Sequence, residues 1–287
     1  MRQTSASEPQ STPASGPPAD APPVSLLPLG DTAWTVEFGA RIDPELHARV
    51  QGLASALAEL RERCQASGAL SATDDPAAVF DAVVDVVPTF RSLTVHYNPL
   101  AASGEHYGER LGEALLALAA NSGSVTSAGR QWCIPVCFDD DLAPDLADLA
   151  EAKGMTREQV IDLMTGATFQ VYMIGFMPGF PYMGGLPSVL EMPRLSSPRK
   201  AVPARSLAIA GAMCAVYPWE SPGGWRLLGR TPLPFFSAQE REAPALLASG
   251  DRVRWQAIDR AEFTVLEAAA AAGTLARSRF LLPEGGA

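Results

Sequence analysis

Proline and glycine decide what residues 169–231 can become, and that stretch constrains the whole chain. The run GFMPGFPYMGGLP (175–187) holds four glycines, three prolines and three aromatic residues in thirteen positions. No helix tolerates that composition, because proline removes backbone donors and glycine raises the entropy cost of ordering. The expectation is a rigid loop with aromatic walls, entered from a strand at Val171, Tyr172, Met173 and Ile174. Cations follow in the pairs Pro193-Arg194 and Pro198-Arg199-Lys200 and in VPARS (202–206). A strand-like run from Leu207 to Ala210 then leads into YPWESPGGW (217–225) and GRTP (229–232). Arginine offers bidentate contacts, and glycine lets backbone N–H groups come close, so the segment suits an anionic or flat polar ligand. Short strand-like runs broken by proline and glycine predict a closed β-barrel.

The remaining sequence reads as scaffold. Residues 1–25 are rich in Ser, Pro, Ala and Thr and hold a single cation, Arg2. They predict a disordered tail, not a secretory or targeting peptide. Leu26 to Phe38 suggests a hairpin around Gly30-Asp31, with Trp34, Val36 and Phe38 on its buried face. Asp43-Pro44 starts a helix as N-cap and first residue, and Leu46, Val50, Leu53, Leu57 and Leu60 give it an apolar stripe. Strands are expected at 82–88 and 93–97, and a second helix from about Gly104 to Ala120. Together these make a small α+β domain of ferredoxin-like character over 26–121.

A Ser/Gly linker at 122–130 then separates it from the barrel domain, 131–260. In that domain Gln131 to Phe138 forms a strand, and Asp139, Asp140 and Asp141 stand ahead of a helix start, where acids complement the dipole. Thr156 with Gln159 marks a second helix by its capping box. Asp251 to Trp255 reads as the final strand. Residues 261–287 form an alanine-rich helix or tail with no assigned role.

Composition narrows the function. A chain of 287 residues that is 47% hydrophobic buries real cores. Its net charge of −10 argues against nucleic acid or an anionic membrane as partner, so its cations act locally. No apolar run approaches the ~18 residues of a membrane span. Cys64, Cys133, Cys137 and Cys214 show no CxxC pair and no neighbouring histidine pattern, which suits free thiols in a cytoplasmic protein and no metal site. There is no GxxxxGK[ST] loop, no GxSxG elbow and no Ser-His-Asp set, so a self-contained hydrolase or P-loop kinase is poorly supported.

The runs GFMPGFPYMGGLP, VPARS, SPGGW and LGRTP, in that order, resemble the family of bacterial 5-oxoprolinase B subunits. That family is also called kinase A inhibitor-like or allophanate hydrolase subunit 1, the carboxyltransferase domain, subdomain C and D. The resemblance runs from about Leu26 to about Trp255 and extends to part of the carboxyltransferase region of urea carboxylase. It implies a cyclophilin-like barrel, as a fold name only. It also implies a subunit that is inactive or nearly so alone. With a related C subunit, similar to allophanate hydrolase subunit 2, and an A subunit, such a chain takes part in hydrolysing 5-oxoproline to glutamate at the expense of ATP, with magnesium as the nucleotide's counterion. The lactam is unreactive, so activation by phosphoryl transfer is chemically sensible, and developing charge needs cations and backbone N–H groups.

On that reading Arg194, Arg199, Lys200 and Arg230 are the anion-contacting catalytic candidates. Phe176, Phe180, Tyr182 and Trp225 wall the pocket, with Pro178 and Thr231 in the same loops. Gly179, Gly223 and Gly224 admit close backbone approach, and Ser206 and Ser221 supply hydroxyls. Three departures stand out. Met164 occupies a position where relatives often carry histidine, with Thr168 at a nearby acidic position. Arg205 replaces the glycine of VPAGS, and Gly211-Ala212-Met213-Cys214-Ala215 replaces a Gly-x-Gln-Thr-Gly turn. They leave two alternatives open: a urea- or allophanate-related carboxyltransferase or amidohydrolase component, and a non-catalytic regulator that docks a sensor histidine kinase.

Overall fold

The computed structural model describes residues 24–67, 76–101, 105–123 and 129–283. The chain divides into two compact units, Met1–Val87 with Arg91–Thr126, and Pro88–Phe90 with Ser127–Ala287. Of the expected tail, residues 1–23 lie outside the described residues, as do 124–128 of the expected linker.

The first unit is a sheet with two helices on one core. Strand β1 (Ser25–Pro28) turns through Gly30, whose φ of 64° needs no Cβ, into β2 (Ala33–Glu37). Val36 and Phe38 are fully buried, and Trp34 reaches out to donate from Nε1 to the Gly108 carbonyl at 2.7 Å. Helix α1 (Pro44–Ser67) starts as read: the Asp43 carboxylate accepts from the Glu45 and Leu46 amides at 2.8 and 3.3 Å. Strands β3 (Val83–Pro88) and β4 (Ser92–Tyr97) complete a sheet of order β1-β2-β4-β3.

Helix α2 (Tyr107–Asn121) begins later than the sequence suggests. His106 has a left-handed φ of 56°, which an α-helix cannot include, and Gly104 lies outside the described residues. Val50, Leu53 and Leu57 of α1 and Leu111, Leu115 and Ala119 of α2 share one core with Val36, Leu93 and Val95.

In the second unit β5 (Gln131–Cys137) leads to α3 (Leu146–Lys153) and α4 (Arg157–Gly166). The expected capping box is present, with Thr156 Oγ1 accepting from the Gln159 amide and Gln159 Oε1 from the Thr156 amide. Then come β6 (Phe169–Ile174), β7 (Pro181–Gly184), β8 (Arg199–Val202), β9 (Ser206–Ala210), β10 (Met213–Val216), β11 (Ser221–Gly223), β12 (Arg226–Arg230) and β13 (Arg252–Ile258). Seven of the strands close a barrel in the order β10-β7-β6-β13-β5-β12-β9, while β8 and β11 form a separate ribbon. The stretch 175–187 is therefore not loop throughout. Tyr182 and Met183 have alternating side chains and pair with β6 and β10, so the loop ends where β7 begins.

Period-2 alternation gives the barrel two apolar faces. Ile134, Val136, Val171, Met183, Leu207, Ile209, Cys214, Val216, Leu228 and Val253 share the main core, together with Met164 from α4. Their neighbours Tyr182, Ala208, Ala215 and Leu227 point the other way and meet Val202 and Trp225. The C-terminal segment is a packed helix, α5 (Arg260–Ala271), capped by the Asp259 carboxylate. Its Phe263 and Leu266 cover Cys137, Leu142 and Ile258.

Candidate functional site

An aromatic cluster stands on the outer face of β7, β9, β10 and β12, and small side chains make room for it. Ala208, Ala210 and Ala215 form the floor, so large rings from the strand ends fit above them without displacing the barrel wall. Phe180 is the hub. Its ring centroid lies 4.9 Å from Tyr182, 5.2 Å from Tyr217, 6.0 Å from Trp225 and 5.5 Å from Phe176, in tilted or edge-on arrangements. Phe180, Tyr217 and Trp225 are almost wholly buried, Tyr182 is half-buried, and Phe176 is 69% exposed at the rim.

Backbone conformation sets that rim. Phe176 adopts φ 67° and Gly179 φ 78°, and a side chain at Gly179 would sit 2.7 Å from the Phe235 carbonyl. Pro178 is exposed between them. Gly223 runs so close to the Tyr217 hydroxyl that an added methyl would overlap it, whereas Gly224 is buried with room for a Cβ near Leu195 and Pro198. Burial raises the pKa of both Tyr182 and Tyr217. The nearby Arg194 charge opposes this in each, and at Tyr217 so does a hydrogen bond with the Trp225 backbone. Both phenols are neutral donors at physiological pH.

The four predicted cations separate. Arg194 stacks over the Trp225 ring with its guanidinium carbon 5.7 Å from the centroid, exposed and without an ion pair or hydrogen bond among the described residues. Lys200 is exposed on β8 and equally unpaired among them. Arg199 instead donates to Asp145 Oδ1 at 2.6 Å and to the Trp225 carbonyl at 3.4 Å. Arg230 closes the far end of β12 from Trp225, five residues and about 16 Å of strand away.

The hydroxyls separate likewise. Ser206 donates to the Pro203 carbonyl at 2.8 Å, and Thr231 Oγ1 accepts from the Leu233 amide at 3.2 Å. Both residues are buried, so these groups hold the turns at the Arg230 end. Ser221 Oγ is buried and unpartnered among the described residues, on the ribbon over the aromatic cluster.

Two contributors are absent from the sequence-based site. Tyr217 follows β10 on the same face as Ala215, a period-2 signal that marks it. Asp145, at the start of α3, spends its carboxylate on Arg199 and the Leu227 amide, and nothing local in the sequence marks that.

The acids Asp139, Asp140 and Asp141 line an open cleft of about 680 Å³ with Phe138, Glu158, Ile161, Ala257 and Ile258. Each is ion-paired, Asp140 with Arg157 and Asp139 and Asp141 with Arg260, so their negative charge is largely offset. Among the described residues no three His, Cys, Asp or Glu side chains are placed to hold a metal ion. No helix is long and apolar enough to cross a membrane among them.

Sequence and fold match known proteins. The chain belongs to the carboxyltransferase domain family, subdomain C and D, whose model matches residues 24–247. It is 33% identical to the 5-oxoprolinase B subunit of Bacillus subtilis (strain 168) over 249 residues, 82% of this chain and 93% of that relative. It is 43% identical to the 5-oxoprolinase B subunit of Haemophilus influenzae over 127 residues, 44% of this chain and 59% of that one. The urea carboxylase of Kluyveromyces lactis superposes with a TM-score of 0.66 over 88% of this chain and 23% of its own length. At 18% identity it shares the fold alone.

Proposed function

We propose that this chain is the B subunit of an ATP-dependent 5-oxoprolinase and that the exposed edge of its aromatic cluster holds the lactam. The observation that supports this most is the conjunction of two features. Similarity extends over 93% of a 5-oxoprolinase B subunit, and a largely buried aromatic cluster carries at its edge an exposed arginine that is unpaired among the described residues. 5-Oxoproline is a five-membered lactam bearing a carboxylate. The exposed ring of Phe176 and the half-buried ring of Tyr182, held by the Phe180 and Trp225 rings behind them, offer it apolar faces, and Arg194 offers a guanidinium for the carboxylate. The neutral phenol of half-buried Tyr182 is placed to donate a hydrogen bond where the lactam carbonyl gathers charge.

The residues present do not fit magnesium-bound ATP. The three clustered acids are already paired with arginines, and no Gly-rich phosphate loop occurs. Nucleotide activation is therefore assigned to the partner subunits. This chain's share is to bind and orient the lactam and to exclude water from it. The partners are a related C subunit and an A subunit. The compartment proposed is the cytoplasm, on the free thiols of Cys133, Cys137 and Cys214.

The experiment is co-purification with the C and A subunits followed by phosphate release from ATP with and without 5-oxoproline. Release that needs 5-oxoproline and all chains supports the reading, and an Arg194→Ala complex should then show a raised KM for 5-oxoproline. A stable complex that ignores 5-oxoproline but turns over urea or allophanate would overturn it in favour of the urea-related reading. Failure to form any complex, with binding to a histidine kinase, would favour a regulator.

A further inference from the structure

Arg230 is half-buried and carries no carboxylate partner among the described residues. Its Nε donates to the Ala204 carbonyl at 2.9 Å, and its two terminal nitrogens make no hydrogen bond or ion pair among them. The residue alongside is another cation. Arg205 sits in the VPARS turn at φ 68°, a left-handed conformation that costs a non-glycine residue about 1 kcal/mol and explains why a glycine is expected there. Its amide and carbonyl are tied to the Tyr217 carbonyl and the Thr231 amide, so the strained residue is locked in place. Its guanidinium, 20% exposed, donates to the Pro232 carbonyl at 3.0 Å and to Glu267 Oε1 of α5 at 2.6 Å.

The Arg230 guanidinium, tied to Ala204, and that of the next residue in the turn, Arg205, thus lie together at one end of β12, and the carboxylate of Glu267 on α5 pairs with Arg205 alone. A further acid nearby, Asp141, is held by Arg260. Burial lowers the pKa of Arg230, the neighbouring Arg205 charge lowers it further, and Glu267 and Asp141 only partly oppose this. A desolvated cation beside another cation is a site that gains from an anion.

We infer that Arg230 and Arg205 form a binding site for a phosphate-class oxyanion, with Glu267 of α5 as an internal anion occupying part of it. A tetrahedral oxyanion presents two oxygens to the free fork of Arg230 and a third toward Arg205, the bidentate geometry that guanidinium favours and a lysine would not supply. The Glu267 carboxylate already satisfies one donor of Arg205, so an incoming anion competes with it. Occupation of the site then loosens the hold of α5 on the VPARS turn, while the apolar contacts of Phe263 and Leu266 keep the helix on the barrel. This site lies about a strand's length from the aromatic cluster and does not depend on what that cluster binds.

The test is isothermal titration of the full chain with inorganic phosphate at constant ionic strength. Parallel titrations use a phosphate monoester, to distinguish free phosphate from a phosphorylated metabolite, and acetate as the carboxylate control. Phosphate should bind the wild type, Arg230→Gln should lose about tenfold or more, and Glu267→Gln should bind several-fold tighter because the internal competitor has lost its charge. Glu267 is on a surface helix, so that variant reports even if Arg230→Gln fails to fold. Arg205→Gly, which relaxes the turn, should weaken phosphate binding without unfolding the chain. Phosphate binding no stronger than acetate binding, equal phosphate binding by folded Arg230→Gln, or weaker binding by Glu267→Gln would each overturn the assignment.

Discussion

Arg199 reaches back from β8 to the buried carboxylate of Asp145 at the start of α3, 2.6 Å from nitrogen to oxygen, and so ties the ribbon over the aromatic cluster to the barrel. Asp145 is 3% exposed, and its other oxygen accepts from the Leu227 amide at 2.6 Å. Removing Arg199 strands a buried charge. Arg199→Ala should therefore cost about 3 kcal/mol, or about 6 to 12 °C in melting temperature. Adding Asp145→Asn removes the stranded charge while leaving a carbonyl to accept from Leu227. In denaturant titration the double variant should be more stable than Arg199→Ala alone. If it is less stable, the buried-charge argument fails.

Phe176 combines two costs in one residue, 69% exposure of an aromatic ring and a left-handed backbone. The backbone belongs to the hydrogen-bonded turn from Gly175 to Phe180, while the ring's one aromatic neighbour among the described residues is Phe180. Phe176→Gly relieves a backbone penalty of about 1 kcal/mol and adds unfolded-state entropy of similar size, so the melting temperature should stay within about 2 °C of wild type. Turnover of 5-oxoproline by the reconstituted complex should nevertheless fall, through KM. Unchanged kinetics would make the exposed ring an accident of the loop.

How far the sequence reveals this arrangement depends on whether a feature is local. Asp43-Pro44, the Thr156 capping box and the alternation of Leu207 to Ala210 are written in adjacent residues, and each stands where its pattern places it. The aromatic walls are also legible, because Phe176, Phe180, Tyr182 and Trp225 flank glycines and prolines. What the sequence does not show is how the cations divide. Arg194 and Arg199 are five residues apart in one Pro-rich run, yet one stacks on Trp225 and the other turns to an aspartate 54 positions away. As a letter in VPARS, Arg205 reads only as bulk and charge in place of a glycine, altering the pocket or the interface. It instead bridges to α5, a helix to which the sequence assigns no role.

Gly223 tests the groove from its backbone side. An added methyl overlaps the Tyr217 hydroxyl, and Tyr217 is 2% exposed with its ring edge-on to Phe180, so the ring has to shift within the aromatic cluster. Gly223→Ala should destabilise the chain by about 1 to 3 kcal/mol and change the near-ultraviolet circular dichroism of the aromatic cluster. It should also raise KM for 5-oxoproline more than it lowers kcat, because the hindrance is to binding. A spectrum identical to wild type would show that the ribbon, not the ring, gives way.

The thiols give a test with a pH sign. Cys214 is wholly buried in the barrel core. Burial pushes its pKa well above the ordinary value of 9.0, and Trp255 Nε1, which faces it without a hydrogen bond of ordinary geometry, offsets little of that. Cys137, under α5, is raised in the same direction by burial. The native state therefore keeps both thiols protonated at a pH where the unfolded chain releases its protons. These groups leave stability untouched below about pH 9 and should lower it as pH rises beyond that. In a Cys64→Ser background, a thiol reagent at pH 8 should modify half-exposed Cys133 quickly and reach Cys137 and Cys214 only on unfolding. Rapid native labelling of Cys214 would mean that the barrel opens between β9 and β10 far more often than its packed core implies, and the rigid floor assigned to the aromatic groove would have to be abandoned.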